Sequence, residues 1–249
     1  MNKPLNLLCK TAITSTLLVA LPIQAEADKP FAFSGMAMFL TDYVDRAMSF
    51  SNADPAVYIR FDVEHESGFL VATEGLNINL MEDETVSSGD RANTLFDFIV
   101  GYRGDLSKNL SLDFQAYDYR LPGAASNLNY DFWEFTTILT YSIQDTDTDL
   151  GFVYDVSPDF MFKTGWAHNF ELTASHSLSN DLSFGGYVGW QGVSDNEKIG
   201  FDDYFHYSVW ASYPIGEFDV GISYANTDLD NADAMNADNI VYFTLSKSF

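Results

Sequence analysis

Cysteine is almost missing from this chain. The single one, Cys9, lies near the amino-terminus, so no disulfide framework holds the fold. Basic residues are scarce as well: 12 Lys and Arg stand against 36 Asp and Glu, a formal net charge of −24. So acidic a chain repels phosphate backbones, which excludes nucleic acid as a partner. It also repels the anionic sugars of an outer leaflet unless divalent cations bridge the two. The His residues stand apart without metal-ligand spacing, and no Gly-rich phosphate loop occurs. The sequence therefore implies no metal and no cofactor. Beyond the amino-terminus, no apolar run is long enough to cross ~30 Å of hydrocarbon as a helix.

What is present begins with a processing signal. Lys3 and Lys10 are basic, and Thr11–Ile23 is apolar around Leu17-Leu18-Val19-Ala20-Leu21. Pro22 interrupts the run, and Ala25-Glu26-Ala27 offers the small residues a signal peptidase reads. Residues 1–27 are expected to be a signal peptide cut after Ala27, with 28–249 as one domain. Cys9 precedes the apolar run instead of following it, so it leaves with the signal and marks no lipoprotein.

The rest alternates. Val57, Ile59, Phe61 and Val63 alternate with Tyr58, Arg60, Asp62 and Glu64. Phe96, Phe98, Val100 and Tyr102 flank Asp97 in the same rhythm, and Phe218, Val220, Ile222 and Tyr224 alternate with Asp219 and Ser223. Period two gives each strand one wet and one greasy face. A soluble sandwich shows the same rhythm. Three features favour a membrane barrel: aromatics near the strand ends on the greasy face, strands of about ten residues or more where soluble ones cluster near 5–6, and a chain that stops inside a strand on Phe249.

Strands are expected near 31–44, 55–66, 68–80, 94–105, 109–121, 130–143, 149–157, 164–178, 181–193, 202–213, 217–226 and 238–249. The links between them alternate strictly between long and short, as external loops and periplasmic turns do. The expected fold is thus all-β: a transmembrane antiparallel up-and-down β-barrel of about 12 strands in the bacterial outer membrane. One conflict remains in the third strand, where Glu74 shares a face with Leu70, Ala72 and Leu76.

The inward residues expected to line a pore are Arg60, Asp62, Glu64, Asp97, Asp113, Glu134, Asp155, Glu171 and Asp219, of which only Arg60 is basic. Buried carboxylates must be solvated, protonated or paired. A water-filled lumen satisfies them and points to passive diffusion of small polar solutes, leaning to cations. A hydrogen-bonded plug with no conduction is the competing reading of the same residues. The last strand carries Val241, Phe243, Leu245 and Phe249 on one face, the pattern expected of a signal for the barrel assembly machinery. Lipid and lipopolysaccharide are the surrounding partners such a barrel meets.

Catalytic and metal readings are weaker. His65 and Ser67 share a strand face, as a lipid hydrolase would need, but no oxyanion partner follows and the pair falls at a turn. His176 and Ser177 fall on opposite faces. Asp145-x-Asp147-x-Asp149 has the opening of a calcium loop, yet Leu150 and Val156 occupy the positions that need Gly and an acid. Asp228, Asp230, Asp233 and Asp238 read as a solvated loop. No catalytic residue is assigned. A surface barrel with a structural or adhesive role remains open beside the pore.

One string resembles a known family. Leu40-Thr41-Asp42-Tyr43-Val44-Asp45-Arg46, then Ser49, Asp54-Pro55-Ala56, Phe61-Asp62 and His65-Glu66-Ser67-Gly68-Phe69 are similar to the amino-terminal signature of the TorF-type porins, also known as Gcw-chp. Asp97, Gly101-Tyr102, Asn129-Tyr130, Glu134 and the closing Leu245-Ser246-Lys247-Ser248-Phe249 fit as well. The resemblance is densest over 39–69 and implies an outer-membrane porin. Three departures stand out: Ala47 where the family has Gly, Tyr58-Ile59 where it has Gln-Gly, and Glu74 where it has Trp.

Overall fold

The computed structural model describes residues 30–80 and 91–249. The expected signal segment and most of the second long link lie outside these residues. Twelve antiparallel strands close into a barrel: β1 (Phe31–Leu40), β4 (Ala56–His65), β5 (Phe69–Asn77), β6 (Thr94–Ser107), β7 (Leu110–Arg120), β8 (Phe132–Ser142), β9 (Thr148–Ser157), β10 (Ala167–Ser177), β11 (Ser183–Val193), β12 (Tyr204–Ile215), β13 (Phe218–Thr227) and β14 (Ile240–Ser248). Each strand pairs with its chain neighbour, and β14 pairs with β1 to shut the seam. Between β1 and β4 a two-stranded hairpin, β2 (Val44–Asp45) and β3 (Met48–Ser49), stands apart from the barrel sheet.

The period-two pattern sets which face meets which solvent. On the outer face Phe33, Leu172 and Phe205 are all more than 60% exposed, and Val57, Phe98, Val188 and Val241 join the same belt. Soluble monomers rarely expose a contiguous apolar patch above a few hundred Å². A belt around the whole barrel therefore requires lipid. No helix among the described residues is long and apolar enough to cross a membrane; the strands do the crossing.

Short turns lie at one end of the barrel and long links at the other. The turn after β4 needs Gly68, whose φ is +91°. A Cβ there would meet the carbonyl oxygen of Arg103 at 2.2 Å, so the backbone approach itself demands glycine.

One expectation needs correction, and one conflict is resolved. The first strand ends at Leu40, and residues 41–55 turn into the barrel instead of extending the wall. In β5 the face of Leu70, Ala72, Glu74 and Leu76 is the inner one, while Phe69 and Val71 face outward and exposed. Glu74 is inside because Arg60 and Tyr58 bind it there. Leu76 is inside because it packs with Met38, Leu40, Leu95 and Phe132 in an apolar cluster near the long-loop end. Apolar residues thus occupy part of the interior that alternation alone reads as polar.

Candidate functional site: the barrel interior

Three arginines organise the interior, and two come from positions the sequence reading did not single out. Arg60 on β4 holds Asp62 on its own strand through Nε and Nη2 at 2.9 Å, Glu74 on β5 at 3.0 Å and Gln115 on β7 at 3.0 Å. The phenolic hydroxyl of Tyr58 also donates to Glu74 at 2.8 Å. Nearer the short turns, Arg103 on β6 bonds Asp113 at 2.8 Å and Glu64 at 2.9 Å. Gln115 links the two groups by donating to Asp113 at 2.9 Å.

The third arginine comes from the hairpin. Arg46 reaches Glu134 on β8 at 2.8 Å and Asp155 on β9 at 3.2 Å. Its backbone carbonyl accepts from the Tyr204 hydroxyl on β12 at 3.3 Å. The hairpin is braced locally: Ser49 and Ser51 hydroxyls donate to Asp42, and the Tyr43 amide donates to Ser51. Asp42 is held above the ordinary carboxylate range by its burial, against the lowering effect of those serine bonds.

Beside this triad lies a further polar chain. Asn169 donates to Asp155 at 2.8 Å and to Glu171 at 3.2 Å. Its carbonyl oxygen therefore faces His206, whose Nε2 lies 2.8 Å away and must donate. Gly189 separates Glu171 from His206 in the ladder. A Cβ at Gly189 would lie 2.5 Å from the His206 ring, which explains a glycine in mid-strand.

Every residue expected to line the interior lies on an inner face. Asp97, Asp113, Glu134, Asp155 and Glu171 are buried, as is Arg60, while Asp62, Glu64 and Asp219 are partly exposed. Asp219 stands near the short turns, opposite Ser246. Asp97 faces Glu74 across the ladder, with no arginine ion pair among the described residues. The interior is less negative than the sequence suggests, because Arg46 and Arg103 join Arg60. Arg103 was recoverable from the alternation of β6; Arg46 was not, since it sits in a link.

The remaining candidates fall elsewhere. Val241, Phe243, Leu245 and Phe249 are exposed on the outer face. Phe249 exchanges both backbone hydrogen bonds with Gly35, at 2.8 and 2.9 Å, and its ring rests against Phe61. Ser67 donates to His65 Nδ1 at 2.7 Å at the rim of a cavity of about 290 Å³ that Glu64, Arg103 and Asp113 also line. The Ser67 amide donates to the same nitrogen, so the imidazole caps a turn. Asp149 accepts from Ser142 at 2.6 Å, and Asp228 accepts from the Phe205 amide at 2.7 Å.

A family model described as a bacterial protein of unknown function (Gcw_chp) matches residues 24–249. The chain belongs to the Gcw_chp family. Among solved structures, this Gcw_chp barrel is similar to the KdgM porin, with a TM-score of 0.56, 9% identity, and coverage of 87% of this chain and 98% of that one. It is also similar to the NanC porin, with a TM-score of 0.54, 13% identity, and coverage of 88% and 99%. No curated protein matches the sequence. At such identities the likeness speaks for the fold. With the lipid-facing belt, it makes the chain a bacterial outer-membrane β-barrel.

Proposed function

We propose that this Gcw_chp barrel is a TorF-type porin: a passive channel for small polar solutes, with a lean toward cations. The observation that carries it is the contrast between the two faces. The exterior is apolar all round, while Arg60 with Asp62 and Glu74, and Arg103 with Glu64 and Asp113, line the interior. A barrel needs no such charges to span lipid, and burying them is costly. A hydrated path through the lumen lowers that cost. The pore-lining residues are Asp62, Glu64, Asp97, Asp113, Glu134, Asp155, Glu171 and Asp219, with Arg60 among them; carboxylates outnumber arginines, which favours cations.

The long links then face outward and the short turns face the periplasm, with both ends of the barrel chain on the periplasmic side. Residues 1–27 are removed on export, and the β14 face of Val241, Phe243, Leu245 and Phe249 engages the assembly machinery. One solved structure with a similar fold is a KdgM porin in complex with disordered oligogalacturonate. The excess of inner carboxylates here argues against an acidic sugar polymer as cargo.

Purified, refolded protein in a planar bilayer tests the reading. Discrete current steps are expected, with a reversal potential under a KCl gradient on the cation side. A second reading, a non-conducting surface barrel, draws support from the hairpin inside the lumen. Absence of current from correctly folded protein, including variants without the hairpin, would decide for it.

A further inference from the structure

The position of β2 and β3 carries a consequence for any path through the barrel. Arg46 holds Glu134 on β8 and Asp155 on β9. The next residue, Ala47, is fully buried and packs with Val44 against Ala225 on β13 and Tyr242 on β14. In the closed ring, β8 and β9 lie across from β13 and β14. The hairpin tip thus touches opposite walls at once. Further along, Met48 packs with Tyr204, Leu229 and Ala237. The hairpin is also tied to its neighbours from above: the Ser49 amide donates to Asn236 at 2.9 Å, and the Asn79 amide donates to Phe50 at 2.8 Å.

We propose that this hairpin is a retractable crossbar that shuts the lumen, and that the Arg46 guanidinium is the latch fastening it to Glu134 and Asp155. The inference rests on the channel reading above. Arg46, Glu134 and Asp155 side chains are 9%, 5% and 1% exposed, so the pair is shielded from solvent while it is made. The same burial makes it a switch. Removing either side strands unpaired charge in the interior, which must draw water or withdraw toward it. The hairpin has little intrinsic hold on its shape, because Arg46 and Ala47 both sit in the left-handed region, at φ +47° and +58°. Ion pairs, apolar contacts with the opposite wall and the loop bonds hold it, and Arg46 supplies the ion pairs.

Planar-bilayer recordings of refolded full-length barrels test this, with heat-modifiable migration as the check on folding. The set comprises wild type, Arg46→Gln, Arg46→Lys, the double variant Glu134→Gln/Asp155→Asn, and a barrel with residues 43–50 replaced by a Gly/Ser linker. Wild type is expected to stay mostly closed. The open fraction should rise about tenfold in Arg46→Gln and in the double variant, the effect of losing ~1.4 kcal/mol of latch energy. Arg46→Lys should remain near wild type, and the linker barrel should stay open. Should Arg46→Gln fail to fold, the double variant and the linker barrel carry the test. Thiol labelling adds a second measurement: in a chain with Cys9 replaced, Ala47→Cys should react slowly with a charged reagent, and faster with Glu134→Gln/Asp155→Asn added. Wild type conducting as fully as the linker barrel would overturn the crossbar and leave the channel reading standing. A linker barrel that folds but never conducts would overturn the channel reading, and the crossbar with it.

Discussion

Asp42 shows at the scale of one residue how the hairpin is kept in shape. Its carboxyl accepts from both Ser49 and Ser51, yet burial raises its pKa despite those bonds. A raised folded-state pKa means the group contributes stability that is fully present below the ordinary carboxylate range. That contribution is lost as pH rises through the folded value. At neutral pH the charge is therefore a liability and the acceptor is the asset. Asp42→Asn should keep the serine bonds, match or exceed wild-type stability at neutral pH, and flatten the pH dependence. Asp42→Ala should cost about 1–3 kcal/mol, because two hydroxyls lose their acceptor. Urea unfolding in detergent at acid and neutral pH measures both; Asn behaving like Ala would contradict the account.

At the scale of elements, the seam between β1 and β14 closes the barrel. Phe249 lies over Gly35, where a Cβ would come within 2.6 Å of its ring. Lys247 shares the outer face and reaches Glu217 at 2.6 Å, 5.7 Å from the Phe218 ring centroid, so its charge snorkels to the short-turn rim. Two roles for Phe249 separate experimentally. If it is read by the assembly machinery, deleting it should deplete the outer-membrane fraction in cells while refolding into detergent still succeeds. Gly35→Val should impair both, since it forces the ring off the seam. Unchanged heat-modifiable barrel in the membrane of cells expressing the Phe249 deletion would rule out the recognition role.

At the scale of the whole molecule, alternation of link length is the ground for the proposed orientation. Tags within 229–235 should be reachable on intact cells, and tags at 145–148 should not; surface labelling at 145–148 would reverse the barrel. A tag in 84–90, outside the described residues, belongs with the exposed set on the same logic. Selectivity also belongs to this scale. The cation preference should be mild, because Arg46, Arg60 and Arg103 offset part of the carboxylate excess. It should be strongest in dilute salt, as the Debye length falls from about 10 Å at 0.1 M to about 3 Å at 1 M. Asp113→Asn should weaken it more than Glu171→Gln, since only Asp113 balances an inner arginine, Arg103. Reversal potentials of the two single variants, compared with a control lacking Asp228, Asp230 and Asp233, check this. Equal shifts in both would show that Arg103 does not face the path.

The sequence by itself determined a barrel of about twelve strands, their bounds to within a few residues and the inward face of most of them, because period-two alternation against lipid leaves one register per strand. It determined the outer belt and the inner carboxylates for the same reason. It left the face of β5 unresolved, where Glu74 is explained only by Arg60 and Tyr58 on the adjacent strand. It also read 41–44 as the end of the first strand and 45–54 as an external link, whereas this part of the family-like string folds into the barrel. Only the tertiary structure decided that. A link's path depends on which walls it meets, and the partners of Arg46 lie 88 and 109 residues away along the chain. Local periodicity carries no information about contacts at that separation. The composition of the interior was therefore legible, while the placement of a hairpin inside the barrel was settled by packing.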